Sequence, residues 1–278
     1  MTSIDTAEGA LGIQLMSALA GVRAPKFLAT RDADGVPNVV PVLSLEAADD
    51  QTVIFAEMMI WKTRRNLEAD ARLAIMVLTA DLRWWTVRGR FEEFQTSGPY
   101  YDQVSEGENF RYNAYGGIRS AGVIRIEEVT RTSKLSRVGL LLDGARSRWL
   151  ARRLAGDVPA GEAMPVQVRD KFGRWQAAKA LAVLDVDGRP DCLPALSLAP
   201  AGPTRLVFGG DALGDVVSMA PGSPVAAAVL SMEPVAYQVK GELAVARSSL
   251  GRSMGVMNVR EVYSASPPLP GVRLRPRP

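Results

Sequence analysis

Histidine is absent from all 278 residues. Its absence excludes an imidazole general base, a Ser-His-Asp triad and any metal site that needs a His ligand. Cysteine is almost absent as well. The single Cys192 cannot close an internal disulfide, so a reducing cytoplasm is the expected location, and no metal site is expected. No apolar run is long enough to span a bilayer. The best candidate, "ALGIQLMSALAGV", is short and broken by glycine, Gln14 and Ser17, and it reads as an amphipathic helix within residues 1–25. Asp5 and Glu8 precede it, and no cation does, so it lacks the pattern of a signal peptide. Lysine is scarce: 6 of the 33 cations, the other 27 being arginine. A net charge of +3 attracts anions weakly and does not point to nucleic acid. Chemistry is left to carboxylates, tyrosines, Lys, Arg, backbone amides or a bound cofactor.

What is present is ordinary in bulk and unusual in arrangement. A 47% hydrophobic and 23% charged chain of this length suits about two globular domains. The chain is duplicated. "DADGVPNVVPVLSL" at Asp32 and "DVDGRPDCLPALSL" at Asp185 share eight of fourteen positions, with Gly35 and Gly188 153 residues apart. Phe55 and Phe208 keep that spacing. "WTVRGRFEEF" then matches "YQVKGELAVA", with Gly89 and Gly241 152 apart, and "AGVIRIEEV" matches "MGVMNVREV", with Gly122 and Gly255 133 apart.

Each repeat reads mainly as strands. The Asp-x-Asp-Gly segments are hairpin-turn signals, and runs such as "TVIFAE", "RLAIMVLT" and "AGVIRIEEV" are β-rich. Five or six strands with one short helix, "KTRRNLEAD", suggest a closed barrel, since closure removes exposed edges. The expected organisation is a helix over 1–25, a first barrel over 26–133, a helical linker over 134–170 with a break near Gly144, a second barrel over 171–265, and an irregular or mobile tail over 266–278.

The repeats differ most at one place. Repeat 1 carries "WKTRRN" where repeat 2 carries "GDVVSM", so Lys62 stands opposite Asp215, Thr63 opposite Val216, Arg64 opposite Val217 and Asn66 opposite Met219. A cluster needed only for the fold should be needed in both copies. Here it sits where a strand gives way to a helix N-terminus, and free N–H groups, the helix dipole, a lysine and a hydroxyl all favour an anion there. The competing reading is a solvated helix start whose arginines pair with Glu68 or Asp70.

The ordered set "FLATRDADGVPNVVPV", "TVIFAEMMIWKTRRNLEADARLAIMVL" and "WWTVRGRFEEF" resembles the FMN-binding split-barrel proteins related to pyridoxamine 5′-phosphate oxidase. The resemblance runs from about Lys26 to Thr130, and a degenerate copy runs from Lys179 to Ser264. It implies a mainly β fold of two tandem split barrels. It also implies FMN as cofactor, gripped by its phosphate at Lys62, Thr63 and Asn66. The isoalloxazine ring would lie on the strand bearing Asn38, Val40, Pro41 and Val42. Met58 and Met59 are candidates to line the ring, and Trp61 to cover it. The deazaflavin F420 is the rival cofactor. The implied activity is that of a flavin-dependent oxidoreductase acting on a small molecule, with NAD(P)H a possible electron donor; the alternative is a flavin-binding protein or sensor without turnover. The family's Arg-rich C-terminal substrate motif has no counterpart in "MNVREVYSASPPLPGVRLRPRP". Barrels of this class pair in dimers, so a homodimer or an intramolecular pseudo-dimer is expected.

Repeat 1 also carries about 19 extra residues between Gly89 and Gly122, an aromatic insertion over about 97–119. It holds four of the six tyrosines, and Arg111 and Tyr112 are its first candidates for substrate contact. A loop packing its own tyrosines on the barrel is the other reading. Trp84 and Trp85 are neighbours on one strand and must face opposite sides. No residue stands out as a general acid or base.

Overall fold

A computed structural model describes residues 11–22, 24–58, 60–107, 118–156, 164–233, 235–266 and 270–274. A short helix α1 (Ile13–Ala20) leads into the first sheet. Its strands are β1 (Lys26–Arg31), β2 (Pro37–Pro41), β3 (Glu46–Ala47), β4 (Thr52–Ala56), β5 (Arg72–Leu78), β6 (Arg83–Gln95) and β7 (Ala121–Lys134). Helix α2 (Trp61–Ala69) joins β4 to β5, and α3 (Pro99–Glu106) lies inside the insertion. Helices α4 (Arg137–Leu154) and α5 (Val166–Gly173) precede the second sheet. That sheet contains β8 (Ala178–Leu184), β9 (Pro190–Pro194), β10 (Ala199–Pro200), β11 (Arg205–Phe208), β12 (Pro224–Leu230), β13 (Ala236–Leu243), β14 (Arg247–Ser249) and β15 (Arg252–Ser264). A 3-10 turn (Asp211–Leu213) and the four-residue α6 (Gly214–Val217) stand in the place of α2.

The duplication is written into the topology. The first sheet runs β2-β1-β5-β6-β7-β4-β3, and the second runs β9-β8-β12-β13-β15-β11-β10, with β14 an added partner of β15. Every counterpart strand holds the same place. Matching side-chain devices support this. Phe55 lies over Gly122 and Phe208 over Gly255, and a Cβ on either glycine would enter the ring. Lys26 and Lys179 are both buried. Lys26 donates to the carbonyls of Leu19, Leu43 and Leu45, and Lys179 to those of Leu196 and Leu198.

Neither sheet closes on itself, contrary to the closed barrel expected from the strand count. The hydrogen-bonding paths end at β2 and β3 in one sheet and at β9 and β10 in the other. Packing takes over the task of closure. β2 lies against β12, β8 and β13, and in the mirror arrangement β9 lies against β5, β1 and β6. Prolines 37 and 41 suit an edge strand that lacks a full ladder, and β3 and β10 are only two residues long.

This arrangement explains why β1 and β5 read as unbroken apolar runs. Their two faces meet different cores. Leu28, Leu73, Ile75 and Val77 fill the first barrel, whereas Phe27, Ala29, Ala74, Met76 and Leu78 join the core of the second repeat. The paired tryptophans divide the same way: Trp85 belongs to the first core and Trp84 to the second. The two repeats therefore pack as one isologous pair within a single chain. Two matched ion pairs tie it, Asp32–Lys240 at 2.8 Å and Asp185–Arg88 at 3.0 Å. Two matched hydrogen bonds accompany them, Gln238 Nε2 to Val39 O at 2.8 Å and Thr86 Oγ1 to Cys192 O at 2.6 Å.

One expectation about the connecting segments needs correcting. Helix α4 runs unbroken through Gly144, because its buried side takes Asp143, Ser147, Leu150 and Ala151 against the second sheet. The C-terminal segment is docked where it is described. Ser264 N donates to Val272 O, Gly271 N to Ser264 O and Leu274 N to Val262 O, and Leu274 packs on the core.

Candidate active site

A cleft of about 290 Å³ opens between the repeats. One wall is β2 and its continuation, with Asn38, Val40, Pro41, Val42, Leu43 and Ser44. The floor is the end of β4 and the start of α2, with Ala56, Met58, Ile60, Trp61, Lys62 and Thr63. The far wall comes from repeat 2, through Gln238, Ser264, Ala265, Pro270 and Gly271.

The start of α2 is built to receive negative charge. Its N-cap, Ile60, offers no side-chain cap, and the first turn contains no acid. The N–H groups of Trp61, Lys62 and Thr63 find no acceptor among the described residues. An uncapped first turn leaves partial positive charge that an anion or water must satisfy. Thr63 is buried beside it. Lys62 adds a full charge. Burial, and next the neighbouring Lys240, lower its amine from the ordinary lysine value to about 8. Among the described residues no carboxylate lies within ion-pair distance of it. Its Nζ sits 3.7 Å above the Tyr263 ring of repeat 2.

Of the residues proposed from sequence, Asn38, Val40, Pro41, Val42, Lys62 and Thr63 come together in this one cleft. Asn66 does not line it. Its amide donates to Thr30 Oγ1 at 3.0 Å and pins the buried side of α2 to β1. Met59, Arg111 and Tyr112 lie outside the described residues. Arg64 follows the ion-pair reading. It meets Glu57 at 2.6 Å and Glu68 at 2.8 Å, with its guanidinium over the Phe94 ring. Glu57 is buried and also accepts from Ser120, so Arg64 locks the first turn of α2 to the stem of the insertion. Trp61 is half-exposed at the cleft and carries the Arg119 guanidinium 4.0 Å from its ring.

Sequence reading missed the entire far wall. Gln238 is its most constrained member. It is buried, and its amide donates to Asn38 Oδ1 at 2.9 Å as well as to Val39 O, so repeat 2 fixes the position of β2. The one sequence signal was that Gln238 aligns with Thr86, a longer donor in place of a shorter one.

The residues present fit a phosphorylated planar cofactor. An uncapped helix start with an adjacent lysine meets a phosphate, and a mostly apolar channel of Val40, Pro41, Ala56 and Met58 meets a ring. The counterpart cleft, about 490 Å³, is lined by the matching Pro194, Leu196, Ser197, Gly209 and Leu213. It lacks these features. Its helix has four residues and carries Asp215 in its first turn.

Residues 23–132 match the family model of pyridoxamine 5′-phosphate oxidase. No curated protein matches the chain. Among solved structures, the chain is similar to an FMN-binding protein from Syntrophomonas wolfei, at 21% identity, covering 44% of this chain and 85% of that one with a TM-score of 0.40. It is similar also to HupZ of Group A Streptococcus, at 26% identity over 46% and 95% with a TM-score of 0.37. An FAD-binding protein from Mesorhizobium loti matches at 19% identity over 44% and 93%, with a TM-score of 0.30. Among the described residues no helix is long and apolar enough to cross a membrane, and no cluster of acids and cysteines offers a metal site.

Proposed function

We propose that the inter-repeat cleft holds FMN and that the chain is a flavin-dependent oxidoreductase acting on a small molecule, a reading supported by the match of residues 23–132 to the family model of pyridoxamine 5′-phosphate oxidase. The observation that carries this reading is the uncapped, acid-free start of α2 with Lys62 beside it, present in one repeat and replaced by Asp215 in the other. A bound flavin supplies the redox chemistry itself. The chain binds and orients. Lys62, Thr63 and the amides of the first turn hold the phosphate. The β2 edge, fixed by Gln238, faces the ring. Met58 and Trp61 would border the ring, and the Trp61–Arg119 stack would border the entrance for substrate. No histidine is needed for any of this.

Repeat 2 acts as the second barrel of a pseudo-dimer, so one chain completes one site. The test is the visible spectrum of the purified full-length protein and the mass of what denaturation releases. A yellow protein releasing FMN, one per chain, is the expected result. Release of F420 would keep the cleft and change the cofactor. A colourless protein that binds neither compound when it is added would overturn the reading. Bleaching of the bound flavin by NADH or NADPH, followed by reoxidation with a small acceptor, is the expected sign of turnover; a flavin that never cycles would make the protein a binder.

A further inference from the structure

Tyr263 and Arg131 hold the same place in their sheets. Tyr263 is the ladder partner of Gln238, and Arg131 is the ladder partner of Thr86. Gln238 and Thr86 are themselves counterparts, each donating across the interface to the edge strand of the other repeat. From these equivalent positions both side chains reach the start of the opposite repeat's helix. Arg131 meets Asp215 at 3.1 Å and Asp191 at 3.4 Å. Tyr263 lays its ring 3.7 Å from the Lys62 ammonium. The contact is retained in both halves, but its chemistry is changed. An arginine on an aspartate cancels charge. An aromatic face attracts an ammonium through its quadrupole and leaves the net charge in place.

We propose that Tyr263 is the positioning residue of the anion subsite: it holds the Lys62 ammonium at the cleft without neutralising it, for a terminal phosphate monoester. This rests on the reading of the cleft as a flavin-phosphate site. The surrounding charges agree with it. Lys240 is committed to Asp32 at 2.8 Å. Glu261 accepts the Tyr263 hydroxyl at 2.8 Å and pairs with Arg273 at 3.3 Å. These acids face the cluster but are held by other partners, so Lys62 keeps its charge for a ligand. A terminal phosphate offers three oxygens, enough for Lys62, the Thr63 hydroxyl and the amides of the first turn together.

FMN and riboflavin differ only by the phosphate, so their affinities isolate this subsite. Both are titrated against the full-length protein by flavin fluorescence, using wild type, Lys62→Ala, Tyr263→Phe and Tyr263→Leu. Wild type is expected to prefer FMN, and Lys62→Ala to lose the preference. Tyr263→Phe keeps the ring and is expected to keep the preference. Tyr263→Leu is expected to lower FMN affinity roughly three- to tenfold while riboflavin affinity stays unchanged. If Lys62→Ala loses the preference and Tyr263→Leu retains it, the role of Tyr263 is overturned and the site stands. If Tyr263→Leu weakens both ligands equally, the residue is only structural and the proposal fails. If wild type itself shows no preference for FMN, the flavin-phosphate reading fails first.

Discussion

The two clefts of this molecule have the same frame and opposite contents. Each is bounded by an edge strand, by a helix start from one repeat and by a long strand from the other. Around them the shared devices recur: a phenylalanine over a glycine, a buried lysine on backbone carbonyls, a turn aspartate bonded across the interface. At the helix starts the likeness ends. One has Lys62 over an aromatic ring at the head of a nine-residue helix. The other has Asp215 neutralised by Arg131 at the head of a four-residue helix. What both repeats keep maintains the isologous packing. What one repeat keeps marks the place where a ligand would select residues, because the fold persists without it.

The comparison can be broken most sharply at the helix starts. Lys62→Ala should weaken FMN binding roughly 10- to 100-fold, the scale of a lost charge-assisted contact. Asp215→Ala should leave one flavin per chain, and calorimetric titration measures both affinity and stoichiometry. The same titration carried upward in pH should show the FMN preference falling as pH passes about 8, where Lys62 gives up its proton.

The matched ion pairs come next. Lys240→Met should cost about 2 kcal/mol of stability, because it leaves Asp32, whose side chain is 24% exposed, without its charged hydrogen-bond partner. Arg88→Met should cost less, since its side chain is already 19% exposed against 4% for Lys240. Urea titration compares the two. Equal losses would mean that exposure does not control the cost here.

Gly122→Ala and Gly255→Ala should each cost roughly 1–3 kcal/mol, because a methyl must displace the ring of Phe55 or Phe208. Thermal melts of the two variants should agree if the two halves are equally rigid.

The buried lysines give a comparison read through pH. Burial lowers Lys179 to about 7 and Lys26 to about 8. An unfolded lysine keeps its proton to the ordinary value of 10.5. Between those values the unfolded chain binds more protons, so stability should rise with pH from about 7 towards 10.5. Replacing Lys179 by Met should flatten that rise more than replacing Lys26, and melting curves across the range measure it.

Much of this was legible in the sequence because it is local or periodic. The Asp-x-Asp-Gly turns, the β-rich runs and the start of α2 depend on residues close together in the chain. The duplication then gave a control for every position, and the contrast of "WKTRRN" with "GDVVSM" singled out Lys62 and Thr63. Asn66 shows the limit of that method. It too is present in one repeat only, yet it lies about one turn further along α2 than the helix start, and its amide there donates to Thr30. Arg64 shows another limit: alignment reveals a charge but not that Glu57, seven residues earlier, already holds it.

By itself the sequence determined the two-fold repetition, the strand-dominated architecture and the helix start suited to an anion. Local backbone preference and hydrophobic patterning are encoded residue by residue, so these features need no knowledge of the packing. Only the tertiary structure decided that the barrels stay open and cover one another's edges, that repeat 2 walls the cleft through Gln238 and the segment at Pro270 and Gly271, and that Tyr263 lies under Lys62. Those contacts join residues some 200 positions apart. They arise from the isologous docking of two sheets, a geometry set by the combined faces of many strands rather than by any one stretch of chain.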